Sequence, residues 1–287
     1  MDKVYQKLIE DIKVQAETYS DLQMKSIYAG QKVALDKLHS LLGTLYIKYG
    51  INGLLKINAQ QKASLGIDKM LKDMGKQLGN EEVEKVTSIL STVYSDTYYK
   101  SIYIMNKGLK VALKFDILKK VNVDAAVNTK YKGDLFSDRI WTNKADMIDN
   151  LQSKLIEATK GTLTIDQVGK QIKDIFNVTA YESSRLVATE NARVQTQASY
   201  DEGISTGVDE VMWSSTLDDK TAPEDGELDG KVWGINEDHP EPPLHPNCRC
   251  CLINVPYSGW SPTQRRDNST GKDIDYTNYT DWKKNNI

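Results

Sequence analysis

Cysteine is scarce and confined: the 287 residues hold three, all between Cys248 and Cys251. Neighbours that close cannot staple distant segments, so a disulfide framework is excluded, and metal ligation or plain thiols remain. Long apolar runs are missing as well. No stretch approaches the roughly 20 residues that span a bilayer, and Met1-Asp2-Lys3-Val4-Tyr5 lacks the apolar core of a signal peptide. The chain is therefore expected to be made and kept in a cytoplasm. No glycine-rich loop suited to cradling phosphate occurs, which argues against an NTPase. Arginine is absent from residues 1–130. What is present, 39% hydrophobic and 27% charged residues, suits a soluble protein long enough for one large or two ordinary cores.

The net charge of −3 conceals an asymmetry. Residues 1–130 carry 20 lysines against 14 acids, a balance of +6, and the remainder stands at −9. Such an excess on helices suits either a polyanionic partner or ordinary solvated faces.

Helical periodicity dominates the first 120 residues. Leu8, Ile12, Tyr19, Leu22, Ala29 and Val33 recur at three- and four-residue steps without a proline, predicting one long amphipathic helix to about Leu42, with breaks at Gly43 and Gly50–Gly53. A shorter helix is expected over 59–78, stopped by Gly79-Asn80. A second long run opens at Glu81-Glu82 and closes at Lys119-Lys120, matching the helix dipole. Its stripe is Val83, Val86, Leu90, Val93, Thr97, Ile104, Val111, Phe115 and Leu118. These helices pack on one another or on a partner. Composition changes over 122–137, read as a linker between a 1–121 long-helix domain and a 138–256 domain.

Within the second domain a helix is expected over 143–160, closed by Gly161. Thr164 with Gln167, and Thr179 with Glu182, form capping-box patterns opening two further helices. On the last of these Arg185 and Thr189 share a face and Glu190 can pair with Arg193. That polar set either holds neighbouring loops by charged hydrogen bonds or forms a solvated face. After Gly207 the period shortens. Val211 and Trp213, Lys231-Val232-Trp233, and Cys251, Ile253 and Val255 predict a small antiparallel sheet joined by Pro-, Gly- and Asp-rich loops. Residues 257–287 lack a hydrophobic stripe and are expected to be flexible or to order only against a neighbour. The fold class is thus mainly α with an α+β C-terminal domain.

Five of seven prolines, two of three histidines and all cysteines fall between Trp213 and Val255, so special backbone geometry and reactive or metal-binding groups converge there. His245 and Cys248 are spaced to reach one ion, Cys250 or Cys251 could add a thiolate, and Asp225 and His239 are candidate fourth ligands. Tetrahedral zinc favours such nitrogen and sulfur donors, and a closed site staples a small irregular domain. The competing reading has small buried cysteines and a hydrogen-bonded loop histidine. Cys248 beside Arg249 could also be drawn as a nucleophile with His245 or His239, although catalytic dyads usually draw on separate elements.

Four motifs in fixed order give a family resemblance. They are Asp138-Arg139-Ile140-Trp141, Arg185-Leu186-Val187-Ala188-Thr189-Glu190, Leu217-Asp218-Asp219-Lys220-Thr221 with Leu228-Asp229-Gly230, and Pro242-Pro243-Leu244-His245-Pro246-Asn247-Cys248-Arg249-Cys250. From about Asp138 onward the chain resembles the head morphogenesis domain of tailed bacteriophages, the minor head proteins of the Mu-like and related groups. The resemblance implies a non-enzymatic structural protein in few copies at the portal vertex inside the capsid. It would be assembled in the host cytoplasm and carried in the virion interior. The implied partners are portal, scaffold or capsid proteins and packaged double-stranded DNA. It marks Arg139, Trp141, Arg185, Thr189, Glu190, Asp218, Asp229, Gly230, Pro242, Pro243, Pro246 and Arg249 as structural motif positions.

The chain departs from the family where many relatives resemble Thr-Cys-Pro-x-Cys. Ala222 and Asp225 take the cysteine places and Lys220 that of an arginine. Asp225 could then serve as an oxygen ligand with weaker zinc preference. Two other readings stand beside the capsid one. The first is a toxin or transferase-type enzyme using the Arg185/Glu190 helix and the His245/Cys248 loop. Here Ser214-Ser215-Thr216 and Glu224–Glu227 are similar to elements of ADP-ribosyltransferases, at a separation too short for that site. The other is a zinc-stapled nucleic-acid binder.

Overall fold

Proline-free periodic sequence produces long helices, as a computed structural model of the chain, describing residues 4–109 and 113–287, shows from the start. α1 runs Tyr5–Tyr49, past Leu42 and straight through Gly43. It stops at Gly50, where a Cβ would lie 2.2 Å from the Tyr46 carbonyl oxygen. β1 (Gly50–Ile51) and β2 (Leu54–Lys56) then form a hairpin, turned by Asn52 and Gly53 at positive φ. α2 is Ala59–Ser64 and α3 Ile67–Leu109.

Gly79-Asn80 is therefore no helix stop, and the two helices expected on either side of it are one. Gly79 answers a packing need instead: a Cβ there would fall 2.3 Å from the Trp141 ring. The helix is described to Leu109 and residues 113–119 lie outside it, so it stops short of Lys119-Lys120, and Val111 of the expected stripe lies outside the described residues.

α4 (Lys120–Val127) buries Ala126 and Val127. α5 (Phe136–Thr159) begins where the Leu135 N–H donates to Asp138 Oδ2 at 3.4 Å. It is followed by β3 (Lys160–Thr164), which pairs antiparallel with β2. α6 spans Ile165–Thr206. Its first turn has the Thr164–Gln167 capping box, with the Gln167 N–H donating to Thr164 Oγ1 at 3.4 Å and the Thr164 N–H to Gln167 Oε1 at 2.9 Å. The second capping pattern is overridden. Thr179 sits inside α6 and donates its hydroxyl to the Ile175 carbonyl at 3.0 Å, the alternative that threonine has within a helix.

Next come β4 (Glu210–Ser214), α7 (Pro223–Leu228), β5 (Val232–Gly234) and β6 (Cys251–Asn254), the strands forming an antiparallel sheet in the order β5-β4-β6. Val211 faces Asn254 and Trp233 in register, and Trp213 faces Leu252. The strands lie where expected, yet Val211–Ser214 and Cys251–Asn254 are buried on both faces, so the alternation does not separate core from solvent. The tail forms a hairpin of β7 (Gln264–Asp267) and β8 (Lys272–Asp275) and the helix α8 (Tyr279–Asn286), packed against a neighbouring segment. Tyr279 and Trp282 form a small core with Leu217, so two aromatics three residues apart supply the apolar face that a longer stripe usually gives.

The chain divides into two compact units, to both of which α1, α3 and α6 contribute. One unit comprises 23–86 and 133–184. Its core gathers Leu38, Leu42, Leu71, Leu151 and Ile172. Within it Lys144 Nζ lies 2.5 Å from Glu82 Oε2, both side chains almost fully buried. The other unit comprises 1–22, 87–132 and 185–287, with Trp213, Ile253, Met212, Tyr5 and Trp260 at its centre. The architecture is mainly α with small antiparallel sheets in the C-terminal region.

Candidate functional site

The loop motifs of the second unit meet around α7. Pro223 occupies the first turn, where a missing N–H costs nothing, and the helix carries Asp225 inward to 2% exposure. Opposite it, the Cys248 N–H donates to the His245 carbonyl at 3.1 Å, with Asn247 at φ 63°. This tight turn presents His245 and Cys248 to the same carboxylate. His245 Nε2 lies 2.9 Å, and Cys248 Sγ 3.5 Å, from Asp225 Oδ2. The three side chains offer one oxygen, one nitrogen and one sulfur within 4.8 Å of one another. Asp225 Oδ1 is buried without a hydrogen-bond partner among the described residues, the situation a bound cation relieves.

Titration follows from those contacts. Burial pulls the His245 pKa down, but hydrogen bonds to the Pro246 carbonyl and the Asp225 carboxylate outweigh it and leave it raised. A hydrogen bond with Cys250 brings the Cys248 thiol down to about 7 against burial. The same bond and burial hold the Cys250 thiol up. Burial pushes Cys251 to about 12, an inert core thiol. The side chains that could hold a cation are thus Asp225, His245 and Cys248, with Cys250 adjoining through its bond to Cys248. His239 is not brought there: its ring stacks on Trp233 at 5.9 Å and its Nδ1 meets the Glu237 carbonyl at 2.7 Å.

The remaining motif residues brace this cluster. Asp218 takes both terminal nitrogens of Arg249, Nη2 to Oδ1 at 2.7 Å, and accepts the Lys220 N–H at 2.9 Å. Although burial opposes it, the Arg249 pairing holds the Asp218 carboxyl below its usual range. Asp229 accepts four bonds. They come from the Ser215 N–H (2.7 Å), Arg265 Nη1 (2.7 Å) and Nη2 (3.3 Å), and the Tyr279 N–H (2.7 Å). Gly230 follows at φ 79°, its N–H donating to the Trp213 carbonyl at 2.9 Å.

On α6, Thr189 Oγ1 accepts the Asn247 N–H at 3.1 Å, tying the helix to the histidine–cysteine turn. Glu190 accepts Arg193 Nε at 2.6 Å, and the Arg193 terminal nitrogens donate to the Ala126 and Val127 carbonyls at 2.8 and 3.0 Å. A buried cation thereby closes the C-terminus of α4. Thr189, Glu190 and Arg193 are buried and hold loops, whereas Arg185 of the same set is exposed. The Pro242-Pro243 segment is held from the other side, where Tyr131 donates to the Pro243 carbonyl at 3.1 Å and Lys132 to that of Leu244 at 2.9 Å. Arg139 and Trp141 belong to the other compact unit, on the first turns of α5.

Several residues of this network escape sequence reading. Arg265, fully buried in the tail, reaches both Asp229 and the Ser215 carbonyl (2.6 Å). Glu10 on α1 accepts the Ser214 hydroxyl (2.8 Å) and the Arg266 N–H (2.8 Å). The available signal was an arginine pair beside the Tyr276, Tyr279, Trp282 spacing. The Ser214-Ser215-Thr216 hydroxyls are likewise structural, donating to Glu10, to the Asp225 carbonyl (2.7 Å) and to the Arg249 carbonyl (2.6 Å).

Residues 149–253 match the family described as Phage Mu protein F like protein. The chain is 25% identical over 305 residues to "Minor head protein GP7" of Bacillus phage SPP1, covering 97% of this chain and 95% of that protein. It is 21% identical over 301 residues to "NAD(+)--arginine ADP-ribosyltransferase EFV" of Enterococcus faecalis, covering 99% of this chain and 56% of that one. An uncharacterised protein of Haemophilus influenzae is 27% identical over 145 residues, 47% of this chain and 30% of the relative. The chain thus spans a little over half the length of the Enterococcus relative. No solved structure matches the chain.

Proposed function

We propose, from the premise that the chain belongs to the minor head protein family of tailed bacteriophages, that it is a building component of the phage head that works with the portal during assembly inside the host and stays in the virion. One observation carries this reading: the similarity to the SPP1 minor head protein runs through nearly the whole of both chains. The chemistry of the site supports it. Asp218, Asp229 and Glu190 are each neutralised by an arginine and Thr189 is spent on a loop amide, so these polar groups brace loops rather than face a substrate. Domain 138–256 is the proposed head-morphogenesis segment. Copurification of the protein with portal protein from assembled particles tests the role. Particles that lack it, or that keep full content and infectivity without residues 138–256, would overturn the reading.

Zinc is the metal we assign to Asp225, His245 and Cys248, with Cys250 the nearest further thiol. An ion there would be a structural cross-link between α7 and the proline-rich loop. Elemental analysis of protein purified without added metal should find about one zinc per chain. A folded, zinc-free protein overturns the assignment.

The name of the Enterococcus relative favours a second reading, an ADP-ribosyltransferase. A large part of that protein lies outside the match, and the Asp218, Asp229 and Glu190 carboxylates are each held by an arginine. Incubation with NAD+ and an arginine ester should release no nicotinamide above buffer; turnover would reinstate the enzyme.

A further inference from the structure

Away from the histidine–cysteine cluster, a cavity of about 470 Å³ opens between α3, the segment leading into α4, and the end of α6. Its volume lies within the range of small-ligand pockets. Residues 100–130 hold seven lysines against two acids, yet none of the described lysines or arginines lines it. Its polar wall includes the acids Asp116 and Asp201 and the tyrosines Tyr94, Tyr98 and Tyr200, beside neutral amides and hydroxyls. This wall is built rather than incidental. Tyr94, itself fully buried, donates its hydroxyl to Asp201 Oδ2, and Gln197 Nε2 donates to Oδ1 at 3.0 Å. The Asp116 backbone is fixed at both ends, its carbonyl accepting from Tyr98 at 2.8 Å and its N–H donating to Ser205 Oγ at 2.7 Å. Asp116 thus keeps its carboxylate for something else. At the rim Ile117 is 77% and Ile204 48% exposed.

Carboxylates and phenol rings without a competing cation attract positive charge, and an aliphatic rim receives a hydrocarbon stem. We propose that this cavity binds an organic cation, an ammonium or guanidinium group on an alkyl chain. The head meets Asp201, Asp116 and the tyrosines, and the stem lies on Ile117 and Ile204. Burial and the Asp201 contact keep the Tyr94 phenol protonated, so it remains a donor to that carboxylate. A free diamine and a lysine or arginine side chain of a partner present the same chemistry.

Calorimetric titration of the full chain with n-butylammonium, n-butanol and butyrate tests the class. The cation should bind at least about tenfold more tightly than its neutral and anionic analogues. Asp201→Asn should abolish that preference, and Asp116→Asn, at an exposed carboxylate whose backbone bonds persist, should reduce it severalfold. If Asp201→Asn does not fold, Asp116→Asn decides. Asp124→Asn, at a half-exposed acid of α4 that does not line the cavity, should leave binding unchanged. Equal binding of butanol, no binding of the cation at millimolar concentration, or an equal loss in Asp124→Asn overturns the proposal. Parallel titrations with 1,4-diaminobutane and with a short peptide bearing one arginine assign the source by which binds more tightly.

Discussion

Glu202 on α6 is 1% exposed. Its oxygens accept from Asn254 Nδ2 and Thr206 Oγ1. Burial nevertheless lifts its carboxyl from the ordinary 4.5 to about 7. Between those values the folded protein holds a proton that the unfolded chain has released. Stability contributed at this residue is therefore greatest below pH 4.5, declines as pH rises, and is lost above about 7. By linkage the difference is on the order of 3 kcal/mol. Glu202→Gln should accordingly raise the urea midpoint at pH 8 and change it little at pH 5. An equal effect at both values would show that the carboxylate is not the source of the slope.

Elements were legible where the signal is local. The Thr164–Gln167 box, the Gly50 break and the three strands of the buried sheet need only neighbours in sequence, and each lies where the residues indicate. The Thr179–Glu182 and Gly79-Asn80 signals failed because long-range packing outweighs a local preference of about 1 kcal/mol. Nothing near Gly79 announces that Trp141 will lie across it. The candidate site was legible in its residue types: Asp225, His245 and Cys248 converge. Its braces from Arg265 and Glu10 were hidden by separations of tens to hundreds of residues.

Two glycines expose the same contest at the element scale. At Gly79 an alanine gains about 1 kcal/mol of helix propensity and displaces Trp141, a half-exposed ring free to swing outward. At Gly226 in α7 a Cβ would sit 2.2 Å from the buried ring of Tyr279. That ring's hydroxyl donates to the Thr221 carbonyl at 3.2 Å, so it has nowhere to go. Gly226→Ala should cost about 1–3 kcal/mol or more, as overpacking does, and Gly79→Ala less than about 1 kcal/mol. Chemical denaturation of both variants checks the order, and a reversed order would contradict the packing described for α8.

For the whole molecule, charge decides between the partners a head protein could have. Of the basic excess of residues 1–130, Lys7 is spent on Asp273 of the tail at 2.9 Å, whereas Lys13 with Glu17 at 3.0 Å and Lys100 with Asp96 at 2.8 Å are pairs the balance of +6 already counts. The full chain is still left at −3. Each phosphate neutralised on duplex DNA steepens the dependence of log binding constant on log salt by about 0.9. The net negative charge predicts a shallow line, with a slope no steeper than about −3. Association with portal protein, resting on packed surface more than on screened charge, should survive salt that removes DNA. Titrations against a duplex and against portal protein at two salt concentrations separate the two. A slope near −6 or steeper on DNA, with portal binding lost in parallel, would mean that the long helices read the packaged genome and that the protein partner is reached only through it.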